Sequence, residues 1–191
     1  MAVQERPQVV GVVYHVTIRG ARQALIFFDD RDRRFFLWLL ERVVKRFKLR
    51  CYVWCLMGNH YHLLIELTEE NLSNAMYTLN YAFSCWINRR HGFKGHAFDR
   101  RFSALEIETT PHLMEASRYI PLNPVRAGQC ARPEEYAWSS YRGMIGLEAA
   151  LFQESDWLLA QFGRTRERAI QNYVGFIDDA LPAGAPSVTK A

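Results

Sequence analysis

The sequence predicts an α+β fold in which helices pack on one antiparallel, ferredoxin-like sheet. Apolar residues alternate along the chain between short β-branched runs and longer runs with helical spacing, in the order β-α-ββ-α-β-α. Gly58-Asn59 separates two of the β-rich runs and is a short turn signal, which predicts a hairpin. The predicted strands cover 10–19, 49–57, 60–67 and 98–108. The predicted helices cover 29–48, 72–91 and a segment that begins at 110 and runs through 119.

Two of these helices begin at residues that commonly cap helices. Asp30 is predicted to cap the first helix, because its side chain can accept hydrogen bonds from free backbone N–H groups. Thr110 is predicted to cap the third helix, since Pro111 after it suits the first helical position.

The length of 191 residues fits one compact domain with a tail. We assign 1–146 to the domain, 147–180 to a looser C-terminal helical extension with helices over 154–162 and 164–180, and 181–191 to a polar, disordered tail. No apolar run approaches the ~18–20 residues of a membrane-spanning helix, and the polar start lacks a secretory signal. We therefore expect a cytoplasmic protein without a membrane partner.

The composition suits a globular protein with a basic bias towards arginine. Apolar residues make up 49% and charged residues 23% of the chain, which excludes a disordered binder. The cysteines contain no Cys-x-x-Cys pair, so neither a zinc ribbon nor a disulfide framework is indicated, and Cys51 and Cys55 are predicted to be buried thiols. Of the 24 basic residues four are lysine, so 20 are arginine. Arginine binds phosphate in pairs of hydrogen bonds, which favours nucleic acid, although a GC-rich genome explains the same bias.

His60-Tyr61-His62 is the first candidate for chemistry. Side chains in a strand alternate with period two, so both imidazoles should point to one face and Tyr61 to the other. Two neutral imidazoles on one face can bind a divalent metal ion. The pattern alone fits two ordinary surface histidines as well.

Tyr119 and Asn123 are the second candidate. They are four residues apart near the end of a predicted helix, so they should lie one turn apart on one face. A phenol nucleophile and an amide-oxygen ligand could then approach one metal ion, whereas Tyr119 alone also fits a core aromatic. Pro121 lies between them, and a kink there would move Asn123 relative to Tyr119.

Four stretches of the chain carry a resemblance to a known family. They are YHVTIRG from Tyr14, CLMGNHYHLLI from Cys55, RYIPLNPVRAG from Arg118 and WSSY from Trp138. Together, between about 14 and 146, they resemble the ordered signatures of the single-tyrosine HUH transposases, closest to the REP-associated tyrosine transposases.

The resemblance implies a role for each matching residue. His60 and His62 match the HUH pair that binds Mg²⁺ or Mn²⁺, Asn123 matches the third ligand, and Tyr119 matches the nucleophile, all within a catalytic domain over 1–146. The family cuts single-stranded DNA beside a hairpin, leaves a 5′-phosphotyrosine and a free 3′-hydroxyl, and rejoins strands by the reverse attack. We therefore expect a metal-dependent endonuclease and strand transferase that acts on palindromic, REP-like DNA in the bacterial nucleoid.

Arginines near these residues in the sequence are candidates for binding DNA phosphates. They are Arg19, Arg100, Arg101 and Arg126. The arginines of the first predicted helix are better explained as its solvated face, and most aromatic residues, including Trp138 and Tyr141, as core. Free tyrosine has a pKa of about 10, and no dedicated base is evident, so the metal or a water is expected to help remove the phenol proton.

Three other functions fit parts of the pattern. A catalytically silent hairpin-DNA-binding protein is disfavoured by the intact set of His60, His62, Tyr119 and Asn123. A replication-initiator or relaxase-type nickase is disfavoured by the small size without a helicase segment. A zinc hydrolase is disfavoured because the residues after His62 do not complete a His-x-His-x-Asp-His pattern. Monomer and homodimer both stay open, and we favour the monomer because the segment beyond 146 can cover the surface through which relatives pair.

Overall fold

The computed structural model describes residues 8–181, and within them lie four strands and six α-helices. The strands and the first three helices follow the predicted order, and a short helix over Tyr141–Met144 was not predicted. The strands are β1 (Val13–Arg19), β2 (Arg50–Leu56), β3 (His60–Glu66) and β4 (Ser103–Ile107). The helices are α1 (Asp30–Arg46), α2 (Leu72–His91), α3 (Thr110–Arg126), α4 (Tyr141–Met144), α5 (Ser155–Leu159) and α6 (Arg166–Asp178). None of the helices in this part of the chain is long and apolar enough to cross a membrane.

The four strands form one antiparallel sheet in the order β2-β3-β1-β4. α1 and α2 cover one face, where Phe36, Tyr61 and Phe83 belong to a first hydrophobic core. α3 to α6 cover the other face, where Leu64 and Ile120 belong to a second core. The predicted α+β fold with a ferredoxin-like antiparallel sheet is therefore confirmed.

The caps of two helices lie one residue earlier than predicted. α1 is capped by Asp29 rather than Asp30, because the Asp29 carboxylate accepts hydrogen bonds from two backbone N–H groups of the first turn. α3 is capped by Thr109 rather than Thr110, because the Thr109 hydroxyl accepts a hydrogen bond from the backbone N–H of His112. Both helices begin with two adjacent residues that can cap, and only the backbone angles decide between them.

β4 is shorter than the strand predicted over 98–108. After an isolated bridge between Gly20 and Phe98, the chain does not rejoin the ladder until Ser103. Phe102 is buried in the first core, and Phe98 packs against it. The apolar residues of this segment thus bury their side chains without continuing the sheet, and an apolar run alone does not separate these two arrangements.

Several side chains are buried as the sequence predicted. Cys51 and Cys55 are free and buried, and burial raises the pKa of both thiols, which keeps them unreactive. Tyr141 lies in the second core, and the partly buried Trp138 packs against the first.

A buried carboxylate, Asp32, ties α1 to α2. It is 0% exposed, forms an ion pair with Arg90 at the end of α2, and lies 3.0 Å from His91 Nε2. It also accepts a hydrogen bond from the backbone N–H of Phe28 at 2.9 Å, while Asp29 pairs with Arg90 at 2.6 Å. Because a buried charge needs partners around it, this network fixes the two helices against each other.

Replacing Asp32 by Ala is expected to lower the free energy of unfolding by about 3–5 kcal/mol, because Arg90 then loses its buried partner. Thermal or denaturant unfolding measures the effect. Asp30→Ala is the matched control on the same helix, since the Asp30 side chain is 60% exposed and lies 3.7 Å from Arg33, a surface pair of small worth. Equal stability of Asp32→Ala and the wild type would contradict this role.

The C-terminal extension forms two helices, as predicted, and α6 packs into the second core. Tyr173 and Ile177 of α6 are 0% exposed, and Arg132 pairs with Asp178 of α6 at 2.6 Å. The division into a domain over 1–146 and an extension over 147–180 stays a prediction. The tail predicted as disordered over 181–191 lies, apart from Leu181, outside the described residues.

Candidate active site

β3 presents His60 and His62 to the face of the sheet that α3 covers. The two imidazoles share this face because side chains alternate along a strand, and their ring centroids are 5.0 Å apart. Tyr61 points to the opposite face, where its hydroxyl donates to the Asn80 side-chain oxygen at 2.8 Å. The two histidines therefore lie together, as the strand periodicity predicted.

A third histidine, His15 of β1, joins this pair. Thr17 lies opposite His62 in the β1–β3 register, so His15 lies diagonally across from His62 on the same face. His15 Nε2 and His62 Nδ1 are 2.9 Å apart, a hydrogen-bond distance, and the rings stack with centroids 5.2 Å apart. This hydrogen bond holds the His62 ring in one orientation.

α3 places Tyr119 over these histidines. The centroid of the Tyr119 ring lies 5.7 Å from that of His62 and 5.9 Å from that of His15. α3 is anchored to the sheet by apolar side chains such as Leu113 and Ile120, which are buried in the second core. Tyr119 itself stays 41% exposed, so the phenol can meet both the histidines and a ligand that arrives from solvent.

The Nδ1 atoms of both β3 histidines have hydrogen-bond partners, which leaves their Nε2 atoms available to a metal ion. His60 Nδ1 lies 2.7 Å from the Asn59 side-chain oxygen, and because that oxygen can only accept, the proton must sit on His60 Nδ1. His62 Nε2 is buried and has no hydrogen-bond partner among the described residues. A metal ion would explain this orphaned nitrogen if His62 Nδ1 donates to His15, since Nε2 then keeps its lone pair.

The side chain of Asn123 is oriented by the backbone of its own helix. Pro124 has no N–H, so the carbonyl of Ile120 loses its usual helical partner. Asn123 Nδ2 donates to this carbonyl at 3.3 Å and to the Tyr119 carbonyl at 2.8 Å. Two acceptors hold the amide nitrogen against the helix, which leaves the amide oxygen for a ligand.

His60 and His62 supply two ligands for a metal ion at this site, and the third would have to be a group other than histidine, cysteine or a carboxylate. Across residues 8–181, no three His, Cys, Asp or Glu side chains are grouped as ligands of one metal ion. His60 and His62 with the amide oxygen of Asn123 form a set of two nitrogens and one oxygen, which fits an exchangeable divalent ion.

Burial keeps the three histidines neutral. Burial and, to a smaller extent, the nearby His15, His60 and Arg19 together lower the pKa of His62 from 6.5 to about 2. Burial also lowers the pKa of His60 and of His15 to about 4. The imidazoles are therefore uncharged at neutral pH, which is the form that binds metal ions.

The lowered pKa of His62 predicts acid sensitivity of the fold. Below about pH 6.5 the unfolded chain binds a proton on this imidazole and the folded chain does not, so His62 alone should lower the free energy of unfolding by about 1.4 kcal/mol per pH unit. Above that pH the contribution vanishes. Unfolding between pH 7.5 and 5 in EDTA measures the slope, and His62→Leu should show a shallower one. The same slope in both proteins would contradict the prediction.

Comparison with known proteins decides the family. Residues 8–123 match the family model described as "Transposase IS200 like". The chain belongs to the IS200-like transposase family. The matched region contains His60, His62, Tyr119 and Asn123. A search of curated proteins found no match.

Two solved structures are similar to this transposase, and the first of them agrees with its fold. One, a REP-associated tyrosine transposase bound to a REP hairpin, has a TM-score of 0.65 and 17% identity, over 81% of this chain and 93% of that one. Another, a crystal structure of a putative transposase from Deinococcus radiodurans R1, has a TM-score of 0.45 and 14% identity, over 62% of this chain and 95% of that one. The transposase family that the motifs indicated is confirmed by the family match, and the fold agrees with that of the REP-associated tyrosine transposase.

The α3 helix of this transposase continues through Pro121 to Arg126, so the proline does not separate Tyr119 from Asn123. Pro121 leaves the Ser117 carbonyl without its helical N–H partner. The hydroxyl of Tyr173 on α6 donates to this carbonyl at 2.8 Å. The C-terminal extension therefore completes the hydrogen bonding of the helix that carries the candidate nucleophile.

Replacing Tyr173 by Phe is expected to lower the free energy of unfolding by about 1–3 kcal/mol, because the Ser117 carbonyl is then buried without a donor. Denaturant unfolding of the transposase and the variant measures this. Tyr77→Phe removes a hydroxyl from a residue that is 68% exposed, and it should leave stability unchanged. A Tyr173→Phe variant as stable as this control would contradict the role of the hydroxyl.

The candidate DNA-binding arginines of the transposase divide between two places. Arg126 lies over the Tyr119 ring, with its guanidinium carbon 4.9 Å from the ring centroid. Arg19 lies opposite His60 in the β1–β3 register. Arg100 and Arg101 line a groove on the α2 side of the sheet instead, so the structure does not bring them to the candidate active site.

Sequence reasoning missed His15 as a member of the site. A signal was present, because His15 stands in the first motif stretch, and strand periodicity places it on the same face of β1 as Thr17 and Arg19. Its partner could not be found, since the contact with His62 depends on the register between two strands that are far apart in the sequence.

Proposed function

We propose that this transposase cleaves and rejoins single-stranded DNA at hairpin sequences, through a covalent tyrosine intermediate and with a divalent metal ion. The observation that carries this proposal is the contact of the Tyr119 ring with the ring of His62, whose Nε2 is buried without a partner among the described residues. A nucleophile beside a potential metal ligand is the arrangement that phosphoryl transfer by a tyrosine requires.

His60, His62 and Asn123 would hold Mg²⁺ or Mn²⁺. Their neutral imidazoles and amide oxygen suit an exchangeable ion rather than a structural zinc, for which four protein ligands are usual. When bound, the ion would polarise the scissile phosphate and offset the charge that develops on its oxygens.

Tyr119 supplies the nucleophile in this proposal. Its phenol oxygen attacks the phosphorus and gives its proton to water, while the bond from phosphorus to the 3′ oxygen breaks. The 3′ oxygen leaves as a hydroxyl after it takes up a proton, and the 5′ end of the strand stays on Tyr119 as a phosphotyrosine. Arg126 over the ring is positioned to pair with a phosphate oxygen at this point.

Rejoining reverses these bond changes. A 3′-hydroxyl attacks the phosphotyrosine and releases the phenol, so the energy of the broken phosphodiester is kept in the covalent intermediate. ATP is not needed for either step. The sequence accordingly contains no Gly-x-x-x-x-Gly-Lys phosphate-binding motif.

Hairpin DNA is proposed as the substrate on two grounds. The structural neighbour with a TM-score of 0.65 is described as bound to a REP hairpin. The excess of arginine over lysine suits contacts with phosphate. Cytoplasmic location at the nucleoid, and a monomeric rather than dimeric state, stay predictions.

The test is incubation of the purified protein with labelled single-stranded hairpin DNA from the flanks of its own gene, with Mn²⁺ or with EDTA. We expect a protein–DNA adduct that survives denaturation and forms with Mn²⁺ alone. Trypsin should release the label on the peptide of residues 119–126, in which Tyr119 is the one tyrosine.

Three outcomes would overturn parts of the proposal. Hairpin binding without an adduct under any divalent metal would favour a catalytically silent hairpin-binding protein. An adduct that forms equally in EDTA would remove the metal requirement. A label on another tryptic peptide would remove Tyr119 as the nucleophile.

A further inference from the structure

A large groove lies on the opposite face of the sheet from the candidate active site. It has a volume of about 1210 Å³ and lies between α2 and residues 95–102. Ile18 at its base points away from the histidine face, and Tyr77 and Tyr81 of α2 form part of its wall. The cleavage chemistry proposed above makes no use of this groove.

Tyr77 and Tyr81 form a stacked pair on the solvent side of α2. They are 68% and 61% exposed, their ring centroids are 5.8 Å apart, and their planes are inclined by 15°. The spacing of four residues places both rings on one face of the helix. Exposed aromatic rings of this kind can stack with nucleic-acid bases, because every base has an aromatic face.

The charge around the groove suits a polyanion. None of the residues of α2 (Leu72–His91), which forms one wall of the groove, is acidic. Across the groove lie Arg101 and Arg100, whose side chain is 88% exposed. The acidic residues of the wall are Glu70 and Asp99, and Asp99 pairs with Arg100 at 3.6 Å. Two arginines therefore lie across the groove from the tyrosine pair, and one of the two acidic residues of the wall is paired with Arg100.

The groove approaches the candidate active site where β1 ends. The backbone N–H of Asp99 donates to the Arg19 carbonyl at 3.1 Å, and the N–H of Ala21 donates to the Ala97 carbonyl at 3.0 Å. Arg19 lies opposite His60 on β3. A flexible strand can therefore run from the groove to the histidines around this end of the sheet.

We propose that this groove binds an unpaired segment of single-stranded DNA, with bases stacked on Tyr77 and Tyr81 and phosphates paired with Arg100 and Arg101. The identity of the polymer rests on the proposed function. An unpaired strand fits because its bases expose their faces for stacking, whereas a duplex presents its backbone and the edges of its bases.

Fluorescence anisotropy with a short labelled oligo(dT), measured in EDTA so that no strand is cut, tests the groove. Tyr77→Ala/Tyr81→Ala should bind roughly tenfold more weakly or worse, and Tyr77→Phe/Tyr81→Phe should bind like the wild type because it keeps the rings. Arg100→Ser/Arg101→Ser should reduce the slope of log affinity against log salt by roughly 1. Trp38→Ala is the matched control, since Trp38 is 49% exposed on α1.

The outcomes separate this proposal from the proposed cleavage. Equal oligo(dT) affinity of the double alanine variant and the wild type overturns the groove, as does an equal loss in Trp38→Ala. Weakening confined to a blunt duplex also overturns it and assigns the groove to paired DNA. A wild type that binds oligo(dT) through the tyrosine pair yet forms no adduct supports the groove while it overturns cleavage.

Discussion

Replacement of Tyr119 by Phe is expected to abolish the covalent DNA adduct and to lower strand cleavage by about 10⁴-fold or more, because the variant lacks the oxygen that attacks phosphorus. The ring remains, so its contacts with His15 and His62 are kept. Since the side chain is 41% exposed, loss of the hydroxyl should not affect folding. Denaturing electrophoresis with labelled hairpin DNA and Mn²⁺ measures the adduct.

Tyr136→Phe is the matched control for this experiment. Tyr136 is a tyrosine outside the candidate site, and its hydroxyl donates to the Leu56 carbonyl at 2.8 Å. This variant should form the adduct, and Tyr119→Phe should bind the hairpin as tightly as the wild type while forming none. Persistence of the adduct in Tyr119→Phe would show that another nucleophile acts.

Replacement of His62 by Ala is expected to weaken Mn²⁺ binding by more than about 100-fold, because changes that merely disturb the partner of a ligand weaken binding by about 10–100-fold. Titration calorimetry without DNA measures the affinity directly, so the result does not depend on cleavage. His96→Ala serves as the control, since His96 is an exposed histidine on the other side of the sheet.

The partner of His62 offers a graded version of the same test. His15→Leu removes the acceptor at His62 Nδ1 and should weaken Mn²⁺ binding by about 10–100-fold, whereas His15→Gln keeps an acceptor and should recover much of the affinity. If His62→Ala bound Mn²⁺ like the wild type, the ligand assignment would be wrong. If His15→Leu and His15→Gln behaved alike, His15 would have no role in orienting the ligand.

The parts of the fold that could be predicted depend on local patterns. The apolar spacing of α2 predicts its observed bounds, Leu72–His91. Gly58-Asn59 separates β2 from β3, as a hairpin signal should. The period of a strand then places His60 and His62 on one face without knowledge of the neighbouring strands. Tyr119 entered as a candidate through its spacing from Asn123 and through the motif around it.

The features that escaped prediction depend on contacts between distant segments. His15 meets His62 because of the β1–β3 register, which no single strand reveals. Tyr77 and Tyr81 have the spacing of a helix face, but only the packed structure shows that α1 and the sheet leave this face uncovered. Asp32 looks like an ordinary residue of a helix start until Arg90 and His91 are brought beside it.

The hydrogen bond from the Tyr173 hydroxyl to the Ser117 carbonyl joins residues 56 positions apart. It makes the helix of the candidate nucleophile depend on a segment outside the matched region of 8–123. A fragment that ends at 146 would keep all four candidate site residues. It would lack the Tyr173 hydroxyl that donates to the Ser117 carbonyl of α3. Pro121 and Tyr173 are thus coupled through the Ser117 carbonyl. Pro121→Ala would restore the backbone N–H and make the Tyr173 hydroxyl redundant. As long as residue 121 is proline, a fusion protein that uses this domain needs the segment that contains Tyr173 as well.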